Sequence, residues 1–324
     1  MPCLADFPHI FLASVAIALG LLFGSFLNVV VHRVPRGESV VWPGSRCPGC
    51  GQPIRAWDNL PVISYLILLG RSRCCKTQIS PRYPLIEAIG GLYAYAIVEV
   101  QVGSLPAETS IWLALGWFTS SLALGLGLVA AAFIDLEHLY LPDPITYSGI
   151  VLGIATVPLR QPMTFIDSLL GGVIGFLVVW LPFDRLYRLV RGRVGMGLGD
   201  AKLVALAGVW FGWEGAVFAL LAGAVQGTLI LFAVLAARGR LEEPEAVQRE
   251  REAAERELAQ AVGEERERLE REMADDPVLA SPPASGFAAA RIPFGPFLVL
   301  AIIEYQLFGE SVILPFLLNY GLGS

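Results

Sequence analysis

The chain has 324 residues, of which 55% are hydrophobic and only 16% charged, with a mean hydropathy of +0.62 and a formal net charge of -6. An apolar fraction this high excludes an ordinary water-soluble enzyme or nucleic-acid-binding module. A polytopic, all-α membrane protein is expected, with the lipid bilayer as its medium and no nucleic acid among its partners.

A membrane span takes roughly 20 mainly apolar residues. In chain order such windows lie near residues 10–31, 84–103, 111–134, 144–159, 166–184, 200–212, 215–237 and 294–319, which predicts about eight transmembrane helices. The fourth and sixth are short, and the last is interrupted at Gly309 and Glu310. The first window lacks a basic leader region and a small-residue cleavage site, so it is expected to be retained as a helix. Lys and Arg number eight in residues 32–83, four in 185–193 and two in 238–240, which places those loops on the cytoplasmic side. Residues 104–110 and 213–215 carry none and 159–165 only Arg160, so the opposite loops and both termini lie outside.

Five regions follow: a first helix over 1–31, a cytoplasmic cysteine-containing loop domain over 32–83, a membrane core over 84–240, a charged insert and linker over 241–291, and a last membrane segment over 292–324. The loop domain holds four of the five cysteines, Cys47 and Cys50 in CPGC and Cys74 and Cys75 as neighbours. Cytoplasmic thiols stay reduced, which favours a metal over a disulfide, and paired thiolates suit tetrahedral zinc. The alternative is that Cys74 or Cys75 is a small packed residue. Between the pairs, NLPVISYLILLG is too short to span and is expected on or against the membrane. The insert carries 14 acidic and 6 basic residues over 241–276 and reads as a solvated charged helix, either a spacer or an arm for a cytoplasmic partner.

Ionisable residues within or beside spans are functional candidates by default. Asp135 ends the third span and Asp200 opens the sixth, both on the cytoplasmic side, so they share one membrane level. Asp143 opens the fourth span nearby, Asp167 reads as a helix cap, and Asp184 is expected to pair with Arg188 on a solvated face. Two carboxylates close together in a poorly solvated site do not both ionise easily, which is the arrangement of an aspartic protease. Gly195, Gly197 and Gly199 would keep the backbone beside Asp200 open to an extended substrate. Lys202 would neutralise Asp200 or meet substrate or lipid. A proton-coupled transporter is the alternative from another class, but its acids are expected at the midplane.

GLGD at residues 197–200 with IDLEHLYLPD at 134–143 resembles the type IV prepilin leader peptidases, bacterial inner-membrane aspartic proteases of the GxGD type. GSFLNVVVHRVP at 24–35, CPGCGQPIRAWDNLPVISYLILLGR at 47–71, ISPRYPLIEAIGG at 79–91 and IPFGPFL at 292–298 resemble the family's pattern in the same order. The resemblance implies Asp135 and Asp200 as the catalytic pair, with Gly197, Gly199, Asp143 and Lys202 supporting. It implies prepilin and pseudopilin substrates of type IV pili or type II secretion, a cytoplasm-facing active site, and methylation of the new N-terminal residue with S-adenosylmethionine. Glu87 is a candidate contact for the methylated amine. The family's second CxxC is replaced by SRCC, with Ser72 where a thiol would stand. Zinc on Cys47, Cys50 and Cys75 then needs Cys74 as fourth ligand, and a peptidase lacking methylation is the alternative.

Overall fold

The computed structural model describes residues 2–191, 196–238, 245–275 and 293–315. Gly195, the whole linker before the last segment and the C-terminal tail lie outside the described residues. Among those described there are helices and three isolated bridges but no strand, as the apolar windows require.

Two helices, α1 (His9–Arg33) and α3 (Arg82–Ile97), flank the cysteine loop and cross where Gly20 and Gly24 meet Gly90. Small residues there let two backbones touch, the usual basis of helix association in lipid. Within the loop a single turn of helix, α2 (Ile63–Ile67), carries exposed Ile63, Leu66 and Ile67, and its amino end is tied to α3, where the Val62 N–H donates to Glu87 Oε2 at 2.7 Å. The stretch, expected on or against the membrane, is held beside a membrane helix.

The longest well-buried span is α4 (Ile111–His138), which runs through the centre and ends at Leu139 in a left-handed cap whose N–H bonds Asp135 O at 2.9 Å. Four non-helical residues, Leu139 to Pro142, then lead into α5 (Asp143–Ala155). Thr164 and Asp167 form a reciprocal capping box at the start of α6 (Phe165–Val179), so Asp167 is the helix cap expected of it. After a π-helical stretch comes α7 (Tyr187–Arg191), where Arg188 donates to Asp184 at 2.6 Å. The pair is as expected but its surroundings are not: Asp184 is 6% exposed, buried at the join of the two helical segments rather than solvated.

Residues of the sixth and seventh windows form one helical run, α8 (Leu198–Arg238), with non-helical geometry at Gly212 (φ 74°, ψ -176°). A Cβ at Gly175 of α6 would lie 2.6 Å from Val204 O and 3.1 Å from Ala216 Cβ. Twelve residues of straight helix would separate those positions by about 18 Å. The run therefore folds back at Gly212, whose positive φ is easily reached only without a side chain. The reversal leaves the carbonyls at the end of its first half without helical partners, and the buried Arg160 guanidinium supplies them. It donates to Val209 O, Trp210 O and Gly153 O and stacks 4.7 Å from the Trp210 ring centroid.

The charged insert forms α9 (Glu245–Gln260) and α10 (Glu264–Asp275), separated at Gly263 (φ 67°) and carrying exposed i,i+4 pairs such as Arg256 with Glu252 and Arg266 with Glu270. The last helix, α11 (Gly295–Phe308), passes from α to π geometry at Gly309, the interruption seen in sequence. Tyr93 on α3 donates to Gln306 Oε1 at 2.6 Å, and Gln306 Nε2 donates to Ser121 O of α4 at 3.2 Å, so α11 is bolted to both.

Among the described residues five stretches are long and apolar enough to cross a membrane: His9–Arg36, Arg82–Val102, Ile111–His138, Phe165–Val190 and Leu198–Ala237. The expected eight is not reached by that measure, because the sixth and seventh windows lie in one run and α5 and α11 have 13 and 14 residues. The chain is a polytopic all-α membrane protein with a cysteine cluster in its first large loop.

Candidate active site

The ends of three helices meet at one level. Asp135 occupies the last turn of α4 and is 6% exposed; Asp200 occupies the first turn of α8, partly buried. The two are joined through Leu141, which packs on both Gly199, next to Asp200, and Gly295, which touches Asp135, and a Cβ at Gly197 would lie 3.6 Å from Asp200 Oδ2. The third element is α11, whose Gly295 N–H donates to Asp135 Oδ2 at 3.1 Å.

Leu141 is the wedge between them. A Cβ at Gly199 would lie 3.2 Å from Leu141 Cβ, and one at Gly295 would lie 3.1 Å from Leu141 Cδ2. Beneath it a continuous core of Ala201, Val204, Leu298 and Ile302 fixes α8 against α11. Gly199 thus has a packing role, whereas Gly197 is exposed and a Cβ there would meet only Asp200 Oδ2 at 3.6 Å and a main-chain nitrogen. Of the glycines proposed as an open bed, Gly197 alone has that geometry among the described residues.

Lys202 does not neutralise Asp200. Two residues along a helix turn a side chain about 200° away, and its Nζ instead donates to Asp143 Oδ1 at 2.6 Å while lying 5.1 Å from the Tyr147 ring centroid. Asp143 is therefore paired at the rim, 54% exposed, rather than lodged with the two aspartates. Glu137, two residues beyond Asp135, forms an ion pair with Arg82 of α3, which brings the peptide entering α3 to the same corner. Glu87 is engaged by the Val62 N–H, an anchoring contact for the loop.

In the cysteine loop two turns repeat one hydrogen-bond pattern. Cys47 N–H donates to Gln52 O and Gly51 N–H to Cys47 O; twenty-five residues on, Ser72 N–H donates to Thr77 O and Lys76 N–H to Ser72 O. Ser72 thus stands where Cys47 stands, and Cys75 where Cys50 stands. Cys74, one residue before Cys75, swings its sulfur to within 3.3 Å of Cys50 Sγ, while Cys47 and Cys75 are 3.5 Å apart. All four sulfurs lie within 4.8 Å of one another. Tetrahedral zinc with bonds of about 2.3 Å needs sulfurs about 3.8 Å apart, so the spacing of the four sulfurs suits the ion.

The thiols themselves show why a cation suits the site. Hydrogen bonds from Ser72 and then Thr77 hold Cys75 down to about 5. Cys50, although the Gln52 main chain favours its thiolate, is pushed up to about 12 by Cys74, burial and the other two thiols. Main-chain N–H groups of Gly49 and Cys50 lower Cys47. Four thiols this close share their protons unless positive charge compensates them. Beside the cluster is a cavity of about 280 Å³, walled by Pro48, Ile54 and Leu68 and rimmed by Arg55, Asp58 and Arg73.

Three contributors were not singled out in the sequence: Leu141, Arg160 and Gly295. Each carried a signal. Leu141 and Gly295 lie inside motifs already quoted, and Arg160 is the sole basic residue of an otherwise uncharged outer loop.

Residues 18–100 match the model of the bacterial peptidase A24 N-terminal domain, and residues 122–232 that of the type IV leader peptidase family. The prepilin leader peptidase/N-methyltransferase of Pseudomonas putida is 38% identical over 239 residues, 67% of this chain and 79% of that one. The proteins of the same name from Neisseria gonorrhoeae and Pseudomonas aeruginosa are each 36% identical, over 71% and 70% of this chain and 85% and 83% of their own. No solved structure matches the chain.

Proposed function

The chain belongs to the type IV leader peptidase family, and from that premise we propose that it removes the basic leader from type IV prepilins or type II secretion pseudopilins and then methylates the new N-terminal residue. The observation that carries the reading is the meeting of Asp135 and Asp200 at the ends of two membrane helices, on the side rich in Lys and Arg. That side is the cytoplasm of a bacterial inner-membrane protein. A transporter would hold its acids at the midplane.

Asp135 and Asp200 are the proposed catalytic pair. The ionised member takes a proton from water, and the water oxygen bonds to the scissile carbonyl carbon while the protonated member gives its proton to the carbonyl oxygen. The carbon–nitrogen bond then breaks as the departing nitrogen is protonated. This leaves a leader ending in a carboxylate and a pilin with a free amine. Exposed Gly197 leaves the approach to Asp200 open. Asp143 and Lys202 support the site by joining α5 to α8, and Glu87 supports the loop.

We assign methylation to the half of the chain holding α1, the cysteine loop and α3. S-adenosylmethionine is the donor implied by the relatives' names and supplies a sulfonium-bound methyl group when bound. The cavity beside the thiols offers matching chemistry, with Pro48, Ile54 and Leu68 for a planar base and Arg55 for a carboxylate. Zinc held by Cys47, Cys50, Cys74 and Cys75 would close the loop domain, a structural role. Residues 241–276 suit a solvated spacer, supported by the exposed intrahelical pairs of α9 and α10, with a cytoplasmic partner as the other use. The regions 1–31, 32–83, 84–240, 241–291 and 292–324 remain the proposed organisation.

The test is to incubate the purified protein in micelles with a prepilin, with and without S-adenosylmethionine, and read the product's N-terminus by mass spectrometry. Leader loss in both samples and one added methyl group in the second are expected. An uncleaved prepilin would overturn the reading.

A further inference from the structure

Asp135 stands on α4 and Asp200 on α8, yet the group that seats Asp135 comes from neither helix. The Gly295 N–H, 160 residues away in sequence, donates to Asp135 Oδ2 at 3.1 Å in a buried contact. The source of that donor is local to α11. The first N–H groups of a helix have no partner within it. Here Pro296 in the first turn has none to offer, and the Phe297 N–H turns back to Phe294 O at 3.1 Å. Gly295 therefore presents the free donor at the amino end of α11, the end complementary to a carboxylate.

Sterics make the position exclusive. A Cβ at Gly295 would lie 2.5 Å from Asp135 Oδ2 and 3.1 Å from Asp135 Cγ, so any side chain displaces the carboxylate itself. This restriction is one of contact, since Gly295 is absent from the positive-φ residues. Depth of docking is set independently: Leu298 and Ile302 are fully buried in the shared core, and Gln306 is bonded to Tyr93 and Ser121.

We propose that Gly295 is a positioning residue for peptide cleavage. Its main-chain N–H fixes Asp135 Oδ2, and the missing side chain lets the carboxylate face Asp200 with Oδ1 left for the attacking water. Oδ1 has no hydrogen-bond partner among the described residues, as this role requires. The last helix thus completes the site from beyond the charged insert. The proposal rests on the reading of Asp135 and Asp200 as the catalytic pair.

Four proteins test it: wild type, Gly295→Ala, Gly227→Ala and Asp135→Asn. Gly227 packs on the other side of α11, where a Cβ would lie 3.3 Å from the Phe297 ring, so its substitution stresses the helix without touching Asp135. Cleavage of a prepilin is followed as kcat and KM, and methylation of a peptide already lacking its leader reports the intact fold. Gly295→Ala is expected to lower kcat about 100-fold, the cost of misplacing a reacting group by about 1 Å, with KM within about twofold, methylation retained and Gly227→Ala near wild type. A loss confined to KM, a loss matched by Gly227→Ala, cleavage within threefold of wild type, or loss of methylation together with cleavage would each overturn it. Full cleavage by Asp135→Asn would instead refute the catalytic pair.

Discussion

Lys202 donates to Asp143 across 2.6 Å, joining the first turn of α8 to the first turn of α5, with its ammonium 5.1 Å from the Tyr147 ring centroid. The lysine beside the GLGD aspartate is thus a brace at the rim, and Asp200 keeps its acidic neighbour Asp135 uncompensated by it. Because Asp143 is half exposed, the pair is worth no more than about 1 kcal/mol. Lys202→Met is expected to lower kcat less than tenfold and leave the unfolding midpoint in micelles within a few degrees of wild type. A loss as deep as that of Asp200→Asn would show that Lys202 takes part in the reaction.

The thiol cluster makes a prediction that can be rescued. Cys74→Ser should lose bound zinc, because Ser72 sits in the first position of the second turn but carries a hydroxyl. Ser72→Cys combined with Cys74→Ser restores a thiol at the position equivalent to Cys47 and should recover about one zinc per chain. Elemental analysis of the purified variants reads this directly. Full zinc in Cys74→Ser would remove Cys74 from the ligand set.

Leu141 lies between the start of α8, beside Asp200, and the start of α11, whose Gly295 holds Asp135. Leu141→Ala empties the space between Gly199 and Gly295 and should destabilise the protein by about 2–5 kcal/mol, the usual range for such a core truncation. Cleavage should fall more than methylation of a leaderless peptide, since the void opens under Asp135 and Asp200. Equal losses would reduce Leu141 to a stability residue.

Arg160 should matter for stability alone. Arg160→Leu leaves the Trp210 carbonyl at the reversal of α8 without its donor, while Val209 O keeps Ser168 Oγ and Gly153 O of α5 keeps Thr156 Oγ1, and a buried group left unpaired costs about 1–3 kcal/mol. A lower unfolding midpoint with unchanged KM is expected. An unchanged midpoint would mean the reversal needs no such cap.

Much of this was legible in sequence because membrane proteins advertise their polar exceptions. Asp135 and Asp200 stand out against apolar runs, and the Lys and Arg bias puts them on one side. The capping role of Asp167 and the pairing of Asp184 with Arg188 follow from spacing, although nothing in DRLYR says that Asp184 is buried. The reversal at Gly212 was legible, since the sixth window ends there and residues 213–215 read as an outer loop between two spans. Gly295 lies in the quoted IPFGPFL, but its role did not show, because a donor 160 residues from its acceptor has no local signature and PFGP reads only as a stiff entry to a helix. Cys74 was ambiguous because spacing alone does not say where a sulfur points.

The most direct measurement is cleavage of a prepilin by Asp135→Asn and Asp200→Asn, each made singly, with methylation of a leaderless peptide as the control for folding. Loss of either acid–base partner should lower kcat by about 10²–10⁴-fold while methylation persists. Cleavage within tenfold of wild type by either variant would contradict the assignment of Asp135 and Asp200 as the catalytic pair.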